Sequence, residues 1–243
     1  FTLTGTATDA NNDPLTYCWE QYDLGPAGTW NSPTGNAPLF RSFNPVTTGT
    51  RTFPKLSSLL NNVQVIGEIL PTYARNLTFV LIARDNKAGG GGVGFEYISY
   101  AVTASAGPFL VSSPNTAVTL NANIPQTITW DIANTNTAPV NCANVNIKLS
   151  TDGGNTFETV LMANTPNDGS EIVNLPMVSS SAARIKVEAA DNIFFDISNT
   201  NFSITTVSGI SNQSAEQLKF SLSQNFPNPF NPTTMINFVI PQK

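Results

Sequence analysis

Val145-Asn146-Ile147-Lys148-Leu149-Ser150-Thr151-Asp152-Gly153-Gly154-Asn155-Thr156-Phe157 alternates apolar and polar side chains and then runs into a cluster of turn formers. Because successive side chains of a strand point to opposite faces, this period of two marks a half-buried β-strand ending in a tight turn. The same spacing recurs at Ile128, Trp130 and Ile132, at Ile185, Val187 and Ala189, and at Phe202 and Ile204. Strands that recur with turn clusters between them predict a β-sandwich over residues 107–206, with Trp130 in its core because both neighbours at two-residue spacing are Ile.

Working outward, residues 1–104 read as a second sandwich. Phe1, Leu3, Gly5 and Ala7 alternate, turn residues follow from Asp9 to Pro14, and Leu15, Tyr17 and Trp19 resume the pattern with Cys18 on the opposite face. Residues 24–54 are rich in Gly, Pro and Asn and predict a long irregular connection. Leu56, Leu59, Leu60 and Val63 fall at helical spacing and predict one short helix that ends before Pro71. Leu77, Phe79 and Leu81 interleave with Val80 and Ile82, so this strand is apolar on both faces and expected to be central. The run Gly89–Gly92 turns into a last strand over 95–102. Residues 207–217 lack periodicity and read as a linker, and 218–243 begin something different. The expected fold class is therefore all-β: two tandem β-sandwich modules followed by the start of a small β domain.

Composition narrows function. The chain of 243 residues has 11 basic and 16 acidic side chains and a formal charge of -5, so it offers no phosphate-tracking surface, and nucleic acid is not an expected partner. No run of about 18 apolar residues is present, so a transmembrane helix is not expected. Histidine is absent. That excludes a Ser-His-Asp triad, a Cys-His dyad and a His-Glu-x-x-His zinc helix, and with them a zinc site in this sequence. A pair of carboxylates could still serve a glycosidase, but the few acids sit mostly beside turns. Cys18 and Cys142 fall in different modules and are read as two structural thiols.

Three constellations stand out. Asp9, Asn11 and Asp13 concentrate oxygen ligands in one turn, and Asp85 meets them if the strands ending there are neighbours; six to eight such oxygens suit calcium, while an ion-free Asx-rich turn is the alternative. Glu188, Asp191 and Asp196 form a weaker second acidic group. Ser150, Asp152, Gly154, Thr156 and Phe157 fit an Asp-box, in which the carboxylate accepts turn amides, and a single copy is expected to be a structural hairpin.

The Asp-box resembles that of sialidase propellers, but only as a turn. More specific is the tail. Phe226-Pro227-Asn228-Pro229-Phe230-Asn231-Pro232, followed by Thr234, Ile236 and Phe238, resembles the start of the type A C-terminal sorting domain of type IX secretion. That resemblance implies transfer across the outer membrane by the type IX machinery and a secreted or cell-surface-attached product. The stretches Leu3–Asp9, Leu15–Gly25 and Ile128–Asp131 look like the accessory region downstream of reprolysin-like zinc metallopeptidases. The first module is also similar to PKD and cadherin-like domains, whose Asp-rich turns often bind calcium, and the second to immunoglobulin and fibronectin type III domains.

The expected function is thus a non-catalytic extracellular accessory and secretion-targeting segment of a larger secreted enzyme, a zinc metallopeptidase whose catalytic domain lies upstream and is a partner in the same chain. The alternative is a stand-alone adhesion module that binds carbohydrate or protein. Exposed aromatics on one sheet face would favour it, with Tyr22, Trp30 and Phe40 as the loop candidates for stacking.

Overall fold

The protein, seen here as a computed structural model, is described at residues 1–206, 221–226, 228–229 and 232–239. The chain divides into two compact units, Phe1–Thr206 and Val207–Lys243. The fold is all-β, built from antiparallel sheets stacked as sandwiches.

The first half of the larger unit contains β1 (Thr2–Thr4), β2 (Thr16–Gln21), β3 (Thr50–Thr52), a helix α1 (Leu56–Leu60), β4 (Arg75–Arg84) and β5 (Val93–Val102). The sheet runs β2-β4-β5, and β1 pairs with β3 in a separate ribbon. The expected central strand is therefore central: β4 registers Leu81 against Trp19 on one side and Glu96 on the other. Between sheet and ribbon lie Leu3, Trp19, Phe53, Leu77, Phe79 and Leu81, joined by Leu39 and Phe40 from the irregular connection. The helix is shorter than its apolar spacing predicts. Asn62 takes a φ of 53° and Val63 donates its N–H back to the Ser58 carbonyl at 3.0 Å, which ends the helix and leaves Val63 exposed.

The irregular connection is held down by a buried polar network. Gln21 Oε1 accepts the N–H groups of Leu39 and Phe40 at 2.6 and 2.8 Å, and Arg75 donates to the Ala37 carbonyl at 2.7 Å. Glu68, also buried, pairs with Arg51 at 2.7 Å and accepts the Lys55 N–H at 2.5 Å. Arg51 lies between the rings of Phe43 and Phe53, at 4.5 and 4.3 Å from their centroids.

The second half continues with β6 (Leu110–Ser113), β7 (Thr119–Asn121), β8 (Pro125–Asp131), β9 (Asn144–Ser150), β10 (Thr159–Pro166), β11 (Ser170–Asn174), β12 (Ser180–Ala189), β13 (Phe195–Ile197) and β14 (Phe202–Thr205). One sheet has the order β10-β9-β12-β14-β7, with β13 also on β12, and the other is β11-β8-β6. All the pairings are antiparallel except β14 with β7. The alternating apolar residues named from the sequence meet between the sheets: Ile128, Trp130, Val145, Ile147, Leu149, Ile185, Val187, Phe202 and Ile204 are all buried. Trp130 is a core residue as expected, with its indole N–H on buried Asn167 Oδ1 at 2.9 Å.

The halves share one compact unit. Arg184 of β12 donates to the Leu60 carbonyl at 3.2 Å, Asn62 donates to the Asn199 carbonyl at 2.9 Å, and Ile193 packs on the first core. The smaller unit contains β15 (Ser221–Leu222) paired antiparallel with β16 (Phe238–Val239), and reciprocal N–H to carbonyl bonds between Phe226 and Met235 continue that pairing inward. Among the described residues no helix is long and apolar enough to cross a membrane.

Candidate functional site

The turn before β2 and the β4–β5 turn meet at one end of the first sheet, because β2 and β4 are neighbours registered through Thr16 and Arg84. Carboxylate oxygens of Asp9, Asp13 and Asp85 thereby come within 4.8 Å of one another. Asp9 and Asp85 are oriented by backbone. Asp9 Oδ1 accepts the N–H groups of Asn11 and Asp13, both at 2.9 Å, and Asp85 accepts those of Lys87 and Gly92 at 3.1 and 2.8 Å. The Gly92 and Lys87 amides hold the Asp85 carboxyl below its ordinary range. Lys87 Nζ sits on Asp13 Oδ2 at 2.7 Å and is the ammonium the cluster has recruited. The three acids expected to converge do so. Asn11 contributes its amide N–H to the turn and is otherwise exposed. Three carboxylates against one ammonium leave lone pairs and net negative charge directed at a common point, which fits a hard cation of calcium's kind.

The second acidic group does not form a site. Glu188 is held between Lys148 and Lys186, each at 2.6 Å, and these two ammonium groups favour its charged form. Asp196 faces Val187 in the β12–β13 register, not Glu188, and accepts the Val111 N–H at 2.7 Å. Burial raises its carboxyl pKa. Acids close in sequence are here sent to opposite sides of one strand pair.

The Asp-box residues form a hairpin turn. Ser150 Oγ donates to Asp152 Oδ1 at 2.6 Å and accepts the Gly154 N–H at 2.9 Å. Thr156 donates its N–H and hydroxyl to Asp152 at 3.0 and 2.8 Å. These donors bring the Asp152 carboxyl down to about 2. Phe157 is half-buried beside Lys186.

Of the stacking candidates, Tyr22 and Trp30 are exposed, but Phe40 is buried at 4% exposure, because Gln21 draws its backbone onto the sheet. Sequence reading missed Phe95 and Tyr97 on β5, whose side chains share an outer face with Tyr22. The ring centroids are 5.7 Å apart for Phe95 and Tyr97 and 4.9 Å for Tyr97 and Tyr22. Their alternation with Gly94, Glu96 and Ile98 looks like that of any strand, so the only signal was the size of the residues on the outward phase. Also missed was a groove of about 470 Å³ lined in part by Tyr17, Trp19, Phe43, Val46, Arg51 and Lys55. Cys18 lies at this groove, where burial pushes its thiol up; it and Cys142 are both free.

Of the sorting motif, Phe226, Asn228, Pro229 and Pro232 are described and exposed; Pro227, Phe230 and Asn231 lie outside the described residues, as does the 207–217 linker. Comparison of the chain with protein-family models and with curated proteins gives no match.

Proposed function

We infer that the chain is a non-catalytic extracellular accessory and secretion-targeting segment of a larger secreted enzyme, a zinc metallopeptidase with its catalytic domain upstream. The observation that carries this reading is the join between the halves. A sandwich that offers its helix end to the hairpin of the next sandwich is a stiff spacer, suited to holding a neighbouring domain at a fixed distance. The lack of histidine supports the same reading, because an enzyme of the triad or zinc type needs imidazole. The Phe226–Pro232 resemblance supplies the targeting role, and the Asp9, Asp13 and Asp85 cluster is assigned a structural calcium ion that ties the β4–β5 turn to the turn before β2. A reporter fused ahead of the chain in a bacterium with type IX secretion is expected at the cell surface or in the medium. Deletion of residues 226–232 is expected to strand it in the periplasm. Retention of the intact fusion overturns the targeting role, and turnover of a peptide or glycan by the purified chain overturns the non-catalytic one.

Exposed Tyr22 and Trp30 favour the second reading, an adhesion module. Saturable binding of the chain to an immobilised glycan, lost in Trp30→Ala, would establish it.

A further inference from the structure

We propose that the outer edge of β5 pairs antiparallel with β5 of a second copy of this chain, about a two-fold axis at Tyr97. The edge is open by the logic of the ladder. Asp85 donates its N–H to the Gly92 carbonyl at 3.4 Å, one step beyond the Arg84–Val93 pair. Hydrogen-bonded and non-bonded pairs alternate in an antiparallel ladder, so Gly94, Glu96, Ile98 and Tyr100 bond to β4. The N–H and carbonyl groups of Val93, Phe95, Tyr97, Ser99 and Ala101 therefore face away from β4. The opposite edge of the sheet is closed, since Tyr17 of β2 exchanges bonds of 2.7 and 3.0 Å with Val46. Natural free edges are normally blunted by Lys, Pro, a bulge or brevity. β5 has none of these: it runs ten residues in unbroken register with a single charged side chain, Glu96.

The side chains select a strand as the occupant. Phe95 and Tyr97 are 63% and 44% exposed on the outer face, and Ile98, on the other face, is 39% exposed. A strand laid along the edge covers both faces, whereas a sugar stacked on the sheet covers one. The rings also meet at 66° and 75° and so make no flat platform. Self-complementarity selects the second copy. Centred on Tyr97, the two-fold sets Tyr97 against Tyr97 of the second copy, Phe95 against its Ser99, Val93 against its Ala101 and Gly94 against its Tyr100, so large residues meet small ones beside a central aromatic pair. Glu96 falls opposite Ile98, so no like charges face each other. All five outward residues find partners in this register, and the same patch serves both copies, as an isologous dimer requires.

Sedimentation velocity on the 243-residue chain tests this. The wild type is expected to dimerise with rising concentration. Tyr97→Lys, which puts two ammonium groups at the axis, is expected to weaken dimerisation by at least about tenfold, or about 1.4 kcal/mol, with far-UV circular dichroism unchanged. Ser99→Pro removes an outward donor and the exposed Ser99–Thr78 hydroxyl contact but no backbone bond of the β4–β5 ladder, and gives the same result if the lysine variant fails to fold. Amide exchange reads the edge itself: protection of Val93, Phe95, Tyr97, Ser99 and Ala101 should rise with concentration, while Gly94, Glu96, Ile98 and Tyr100 are protected throughout. A chain that stays monomeric at every concentration overturns the proposal. So does a dimer whose five outward amides exchange freely, or a monomer whose Tyr97 resonances shift with a β-linked oligosaccharide, which assigns the face to sugar.

Discussion

Leu60 lies directly over Gly154: a β-carbon at position 154 would stand 2.4 Å from Leu60 Cδ2, and Gly154 holds a φ of +95°. The last residue of α1 thus rests on the Asp-box turn of the neighbouring sandwich, where only a glycine both takes that backbone conformation and leaves room for the leucine.

Gly154→Ala is expected to destabilise the unit by about 1–3 kcal/mol, from backbone strain with the displacement of Leu60 added. In a Leu60→Ala background the same substitution should cost less, because the steric share is already relieved. A double-mutant cycle by denaturant unfolding measures the difference, and strict additivity would mean that the two residues do not touch in solution.

Acid should loosen the same turn. The Asp152 carboxyl falls to about 2 in the folded chain from an ordinary 3.8. A lowered folded pKa gives stability that is complete above 3.8 and is lost as pH falls through about 2. Asp152→Asn is therefore expected to lower the melting temperature at neutral pH and to flatten the acid limb of the profile between those two values. Melting curves across that window check it, and an unchanged acid limb contradicts the assignment.

Calcium should raise the melting temperature, because an ion that binds only the folded form stabilises it by about 2.7 kcal/mol at a hundred times its dissociation constant. Asp85→Asn should abolish the shift. Lys87→Met should enlarge it, since the ammonium on Asp13 competes with the ion. A titration that moves none of these melting curves removes the metal from the account.

Glu68→Ala is expected to cost about 3–5 kcal/mol, because it leaves the Arg51 guanidinium half-buried without its counter-charge and frees the Lys55 amide. Chemical denaturation measures it. Arg51 also donates to the Trp19 and Arg41 carbonyls at 2.6 and 2.7 Å, and a near-neutral result would show that these and the Phe43 and Phe53 rings suffice to hold it.

The sandwich core was legible wherever side chains alternate. Ile128 and Trp130, Val145 to Leu149, and Ile185 and Val187 carry their burial in their spacing. Leu39 and Phe40 were not legible, because they sit in an aperiodic stretch whose burial depends on Gln21 and Arg75 reaching it from the sheet; Phe53 was not, because it is buried by the Phe1, Phe40 and Phe79 rings from distant parts of the chain. At the site, Asp9, Asp13 and Asp85 could be placed at strand ends in advance from turn chemistry, but their meeting hung on whether those strands are neighbours, which the pairing of β2 with β4 supplies. Glu188 and Asp196 misled for the converse reason: nearness in sequence says nothing about which side of a strand pair each one faces. Phe95 and Tyr97 were overlooked because a strand pattern does not tell which of its two phases turns outward.

The parallel pairing of β14 with β7 sets the timing of assembly. The other strand pairings of the second sandwich can zip up between strands already synthesised, but β7 has no strand partner, and β12 lacks its neighbour on that side, until Phe202–Thr205 emerges and lies between them. A nascent chain must therefore wait for almost the whole half before that sheet is complete, and such distant pairings form slowly. A chain ending short of Phe202 would expose raw edges on both β12 and β7 and invite aggregation.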